Sequence, residues 1–259
     1  MGLNLYGAII GDLAGSIYEY QQIKKIENIN IDELIPSNSF FSDDTILTIA
    51  ILDAILNECK YAEYLKEYII NYSNYKPDFY PYFKTSFSPN IIKWSRSETN
   101  GTSTGNGAMM RISPVGYMFN TEQEIINNAR LATIPTHDSY EATLYATKIA
   151  LMIYYFRIGY SKEEVIKKLN LKIEYIPFTK FNSTCEETFG NVTYAIFNSN
   201  DFEDAIKQAI YMGGDTDTNA AIVGSVAEAI YGVPYDLIET VNKKIPNKFV
   251  KILTKSNYK

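Results

Sequence analysis

Apolar residues recur along most of this chain at the three-and-four spacing of an amphipathic helix, while the strict alternation of a half-buried strand is almost missing. The segments "TEQEIINNARLA" (121–132) and "SKEEVIKKL" (161–169) each open on a hydroxyl residue followed three positions later by a glutamate. Thr121 with Glu124, and Ser161 with Glu164, therefore predict capping boxes at two helix starts. "DFEDAIKQAIYMGG" (201–214) predicts a helix that starts on Asp201 and stops at Gly213, and Pro246 suits the first turn of a final helix, "PNKFVKIL". The β-branched run "LKIEYIP" (171–177) is short and isolated, so the pattern predicts a mainly α protein. Two stretches, 72–107 and 173–190, are rich in Tyr, Pro, Ser, Asn, Thr and Gly and read as long loops, which in a compact domain are more often functional than decorative.

The first helix, "LYGAIIGDLAGSIYEY" (5–20), places Gly7, Gly11 and Gly15 four apart, a bare strip that lets another backbone come close. A helix over 220–231 has its own small-residue face in Ala220, Gly224 and Ala227. Packing these two faces together would carry Asp12 or Glu19 toward Asp215 and Asp217.

Composition narrows the function more than the fold. With 259 residues, one or two domains are possible, and 46% apolar with 21% charged residues is ordinary for a globular protein. The net charge of -6 argues against a nucleic-acid or membrane-surface binder. The run "ILTIAILDAIL" (46–56) is too short to span a bilayer and carries Asp53 inside it. Cys59 and Cys185 lie far apart with no CxxC spacing and no secretory leader ahead of them, so a cytoplasmic setting without a disulfide is expected. His137 is the single histidine, which excludes multi-histidine metal sites. A monomer is expected, since no surplus apolar patch stands out.

Candidate chemistry concentrates at two predicted helix starts. In "GGDTDTN" (213–219) and "FSDDTILTIA" (41–50), carboxylates and hydroxyls exceed what one cap needs. Capping and a favourable helix-dipole contact of about 0.3–1 kcal/mol account for either cluster alone. Brought together, four carboxylates would repel one another unless a divalent cation joined them. Carboxylate and hydroxyl oxygens suit Mg²⁺, Mn²⁺ or Ca²⁺ rather than zinc. A third segment, "TNGTSTGNGAMMRISPVG" (99–116), could wrap a phosphate with free backbone N–H groups and pair it with Arg111, but without a Walker or GxGxxG pattern a polar loop with turn glycines is the better reading of these residues alone.

The ordered set "GAIIGDLAGSIYEY", "FSDDT", "GNGAMMR", "THDSYEA" and "GGDTDTNAAIVGSVAEAIYG" resembles the ADP-ribosylglycohydrolase family from about Leu3 to Gly232. The resemblance implies an all-α, compact single-domain, multi-helix fold over residues 1–259, with a dinuclear centre of Mg²⁺ or Mn²⁺ that hydrolyses the bond joining ADP-ribose to an acceptor. It places the metal ligands on Ser42, Asp43, Asp44, Asp215, Asp217 and Thr218, with Glu19 as the acidic residue of the first helix. Ser42 stands where many relatives have Thr and keeps the hydroxyl. Ser103, Gly105 and Asn106 are implied near the diphosphate and ribose, with Gly107 and Met109 shaping the turn. His137 matches the family's "TH" position, where a substrate-facing role and a buried, hydrogen-bonded one stand about even, and Asp138 follows where many relatives have a second histidine.

The implied partner is an ADP-ribosylated protein, through arginine or serine, or a small conjugate, and the product is free ADP-ribose. An oxocarbenium-like transition state asks for a positioned ribose and an activated water, which divalent ions can supply. Asp43 or Asp215 is the expected general base, with Glu19 gating metals or substrate. Tyr75, Tyr80, Tyr82 and Tyr175 could stack on adenine, but 22 tyrosines in the chain make most of them packing or surface residues. Two rival readings are a binding protein without turnover and a metal-dependent nucleotide-diphosphate phosphoesterase; their products differ.

Overall fold

The computed structural model describes residues 5–19, 29–77, 85–178 and 180–256. Among these, fourteen helices follow one another: α1 (Gly7–Gly15), α2 (Asp43–Leu56), α3 (Tyr61–Tyr72), α4 (Pro89–Trp94), α5 (Gly107–Met110), α6 (Ser113–Met118), α7 (Glu122–Thr133), α8 (Tyr140–Arg157), α9 (Lys162–Leu169), α10 (Cys185–Asn198), α11 (Phe202–Tyr211), α12 (Thr216–Tyr231), α13 (Tyr235–Lys244) and α14 (Asn247–Ser256). The described residues form no strand, only the isolated bridges Thr102 to His137 and Gly105 to Thr184. The fold is all-α.

Local chemistry sets most boundaries. Thr121 and Ser161 close capping boxes with Glu124 and Glu164, and Asp201 accepts from the Asp204 amide at α11. Three sequence expectations are corrected. The stretch 173–190 is not all loop, because Thr184 closes a third capping box with Glu187 and starts α10 at Cys185. The stretch 72–107 contains α4, which Ser88 caps with Pro89 in its first turn. The first helix ends at Gly15, so Glu19 stands in the turn that follows rather than on the helix.

The centre of the molecule is the pair α1 and α12, buried from Gly7 to Gly15 and from Thr216 to Glu228. The two small-residue faces meet as expected. A Cβ built on Gly7 would lie 2.2 Å from Gly224 O, one on Gly11 2.0 Å from Ala220 O, and one on Gly15 2.3 Å from Thr216 O. Glu228 of α12 completes the joint, since its carboxylate accepts the Leu5 amide at 2.8 Å and the Gly7 amide at 2.6 Å, at the start of α1. α2, apolar around its whole circumference, is buried from Asp44 to Ile55 apart from Asp53. No helix among the described residues is long and apolar enough to cross a membrane. Cys59 and Cys185 are free thiols.

The α1–α12 contact is backbone against backbone, so it cannot yield to an added methyl by rotating a side chain. Gly11→Ala is expected to destabilise the protein by about 3 kcal/mol or more, read as a lower urea midpoint. An unchanged midpoint would show that the helices can separate at little cost.

Candidate active site

At the start of α2, one hydroxyl does the capping. Ser42 is extended, its Oγ accepts the Asp44 amide at 3.1 Å, and the same oxygen donates to Asp44 Oδ2 at 3.1 Å. The first-turn carboxylates are therefore surplus to the cap. Asp12 reaches across from α1, and its Oδ2 accepts the Ser42 amide at 2.9 Å, the Thr45 amide at 3.0 Å and the Thr45 hydroxyl. Ser86 fixes the neighbouring residue by accepting the Asp43 amide at 2.7 Å.

At the start of α12, Asp215 holds the N-cap position but its side chain makes no capping bond. Gly213 and Gly214, at φ +73° and +71°, turn the chain into the helix, and a Cβ on Gly214 would fall 2.1 Å from Asn182 Oδ1. That oxygen accepts the Asp215 amide at 2.8 Å, while Asn182 Nδ2 donates to Thr188 Oγ1 at 2.8 Å and Asn219 Oδ1 at 2.9 Å. The Asp215 carboxylate, which makes no capping bond, faces Asn106, whose Nδ2 donates to Oδ2 at 2.7 Å. Asp217 accepts the Thr218 amide at 2.9 Å, and Thr218 Oγ1 donates to Asp44 Oδ2 at 3.3 Å, tying the two helix starts together.

The packing of α1 on α12 thus gathers acids from three segments. Ligand atoms of Asp12, Asp44 and Asp217 lie within 4.8 Å of one another, and so do those of Glu19, Asp215 and Asp217. Asp217 belongs to both groups. At such separations two ionised carboxylates repel by about 3 kcal/mol at an effective dielectric near 20. Burial, followed by the neighbouring acids, pushes Asp43 up to about 8 and holds Asp44 well above the usual carboxylate range. Burial also raises Asp217, reinforced by Glu19 and Asp215, and it raises Asp12 to about 6 against the bonds it accepts. Asp215 is raised by burial as well. Asp12 Oδ1 and Asp44 Oδ1 are buried with no hydrogen-bond partner. Oxygen donors, clustered negative charge and two orphan carboxylate oxygens fit hard divalent cations.

Apart from Asp12, which is buried behind them, these acids line a cleft of about 1270 Å³. Glu19, Asp43, Asp44, Asp215, Asp217 and Thr218 line it together with Ser103, Gly105, Asn106, Gly107 and His137. Ser42 and Met109 do not: the Ser42 hydroxyl is engaged with Asp44, and Met109 is fully buried in α5, just after the loop. The loop is held from both sides. Gly101 N donates to Pro135 O at 2.8 Å, Asn106 N to Ser183 O at 3.0 Å, and Cys185 N to Thr104 O at 2.9 Å. Phe87, Ile91, Trp94 and Phe181 add apolar wall. Tyr75 instead stacks on Phe41 with ring centroids 4.4 Å apart, and Tyr175 leans on Tyr194; Tyr80 and Tyr82 lie outside the described residues.

Asp12, Ser86, Asn182 and Thr188 organise the acidic helix starts and were not marked as site residues by the sequence pattern. Asp12 had one signal, its place on the glycine-strip helix. The other three act through contacts 6 to 43 positions away in the chain, with no local motif.

Residues 4–256 match the sequence profile of the family described as ADP-ribosylglycohydrolase. A protein of Acanthamoeba polyphaga mimivirus named "Putative ADP-ribosyl glycohydrolase" is 28% identical, with 92% of this chain and 87% of that protein covered. ADP-ribosylhydrolase ARH3 of Homo sapiens is 23% identical, with 88% and 84% covered. ADP-ribosylarginine hydrolase Tri1 of Pseudomonas putida (strain GB-1) is 21% identical, with 92% and 72% covered. Among solved structures, one titled "ADP-ribosylglycohydrolase-related protein complex" shares the fold at a TM-score of 0.72 and 18% identity, covering 99% of this chain and 93% of its own. Since the profile takes in the glycine-strip helix, both acidic helix starts and the loop between them, the chain belongs to the ADP-ribosylglycohydrolase family.

Proposed function

We propose that this protein removes ADP-ribose from an acceptor by metal-dependent hydrolysis of the ribosyl bond, acting as one domain over residues 1–259 and as a cytoplasmic monomer. The observation that carries the reading is Asp217, shared by two carboxylate groups at a cleft whose other wall is a glycine-rich loop. Two Mg²⁺ or Mn²⁺ ions held by Asp44, Asp215, Asp217 and Thr218, with Asp43 and Ser42 completing the set, would supply charge for positioning the ribose hydroxyls and acidifying water.

The chain's own groups do the rest. Asp43 is half-buried at the cleft and stands outside both carboxylate groups, while Ser86 fixes its backbone. It takes the proton from the attacking water. Asp215, oriented by Asn106, steadies the reacting ribose, and Glu19 controls entry from the turn beyond α1. Ser103, Gly105, Asn106, Gly107 and His137 receive the diphosphate and its riboses, with Met109 packed behind the turn. The acceptor is a protein side chain such as arginine or serine, or a small conjugate.

The test is chromatographic release from a panel of arginine-linked and serine-linked ADP-ribosyl peptides, with Mg²⁺ and with EDTA. Free ADP-ribose in the Mg²⁺ samples, at least about 10²-fold above EDTA, is expected. Asp43→Ala is expected to fold and to lose about 10³-fold in rate, as removal of a general base does. AMP with ribose phosphate would assign a phosphoesterase, and ADP-ribose binding without product a sensor; either overturns the proposal.

A further inference from the structure

Arg111, immediately after α5, has no exposed surface, and its guanidinium meets few partners. Nη2 donates to Thr136 Oγ1 at 2.5 Å and to Ala132 O at 3.3 Å, while Nε and Nη1 are buried without a partner. Thr136 Oγ1 lies 2.6 Å from His137 Nδ1 and has no other hydrogen-bond partner among the described residues.

The proton inventory decides the direction of this chain. A guanidinium nitrogen can only donate, so Thr136 Oγ1 accepts from Arg111. Its own hydrogen then has one acceptor within reach, His137 Nδ1. If Nδ1 carried a hydrogen instead, the threonine O–H would be buried with nothing to bond, at a cost the other tautomer avoids. His137 therefore keeps its hydrogen on Nε2. That nitrogen lies at the glycine loop: an ideal Cβ on Gly105 would come within 3.4 Å of it, and one on Gly107 within 3.6 Å. Burial and the Arg111 charge hold the ring neutral, well below the usual histidine range.

We propose that Arg111 is a positioning residue which, through Thr136, fixes His137 in the tautomer that presents an N–H donor from Nε2 to a ligand oxygen at the glycine-loop wall. The proposal rests on the reading of the cleft as an ADP-ribose site only for the ligand, not for the tautomer.

Because His137 is the single histidine, nitrogen-15 histidine labelling gives a spectrum of this ring alone. Long-range nitrogen–proton correlations near neutral pH should place the hydrogen on Nε2 in the wild type. Thr136→Val removes the relay hydroxyl at nearly constant shape; both tautomers should then appear, with ADP-ribose binding weakened about tenfold. Thr136→Ser should restore both readouts. Arg111→Met should behave like Thr136→Val, and the threonine pair keeps the test decisive if that variant does not fold. A hydrogen on Nδ1 in the wild type would overturn the proposal, as would an Nε2–H spectrum with undiminished binding in Thr136→Val. A wild type that carries Nε2–H but binds no ADP-ribose would sink the functional reading and leave the relay standing.

Discussion

Asp217→Asn is expected to lower Mg²⁺-dependent ADP-ribose release by about 10³-fold or more while raising the melting temperature of the metal-free protein by a few degrees. The opposite signs follow from one cause. Asp217 is buried between Asp44 on one side and Glu19 with Asp215 on the other, so its charge meets repulsion from both groups. An amide keeps the volume and the oxygen that accepts the Thr218 amide, and it removes the charge. Without a cation, Asp217 must either carry that charge or take up a proton that the unfolded chain would release, and the amide spares the fold both costs. With a cation, it deletes the ligand both carboxylate groups share. Chromatography and thermal melts in EDTA and in Mg²⁺ measure the two effects together. Full activity, or an Mg²⁺-induced rise in melting temperature as large as in the wild type, would remove Asp217 from the centre; Glu163→Gln, exposed in the first turn of α9, serves as the neutral control.

Much of the scaffold is legible locally because its signals are local. Three glycines spaced by four predicted a close backbone approach, and Gly7, Gly11 and Gly15 meet Gly224, Ala220 and Thr216. Thr121 and Ser161 predicted their helix starts for the same reason. The start of α10 had an equally good signal in Thr184 and Glu187, but the Tyr-, Pro- and Asn-rich composition around it suggested loop, and composition was the weaker guide. Glu19 left the expected helix, since α1 ends at Gly15 with Ser16 at its C-cap and residues 16–19 continue as a turn. The acids at 43–44 and 215–217 were visible as an excess over capping. What keeps them in excess was not visible: Ser42, Ser86 and Asp12 accept the first amides of α2, and Asn182 accepts the Asp215 amide at the entry to α12. Such long-range substitutions for a local cap leave no periodic trace in the chain.

The same cluster fixes how stability should depend on pH. Asp43, pushed up to about 8, and Asp12, at about 6, hold protons in the native state that the unfolded chain releases near its ordinary value of about 4. Across that window the native state binds more protons, so stability of the metal-free protein falls as pH rises. His137 works against this below about 6.5, because it stays neutral in the fold while the unfolded chain's imidazole takes a proton. Glu187, held near 2 by Lys180, changes charge below the window altogether. The interval from about pH 6.5 to 8 therefore isolates the carboxylates. In EDTA, the melting temperature should drop by about 5 °C over that interval. Saturating Mg²⁺ should reverse the trend, since cations compete with the same protons and bind better as the acids ionise, and should lift the melting temperature by about 8 °C at the upper end. A metal-free melting temperature that climbs with pH would mean the acids are already ionised without a cation. The charge in the cleft would then be balanced by groups other than a metal.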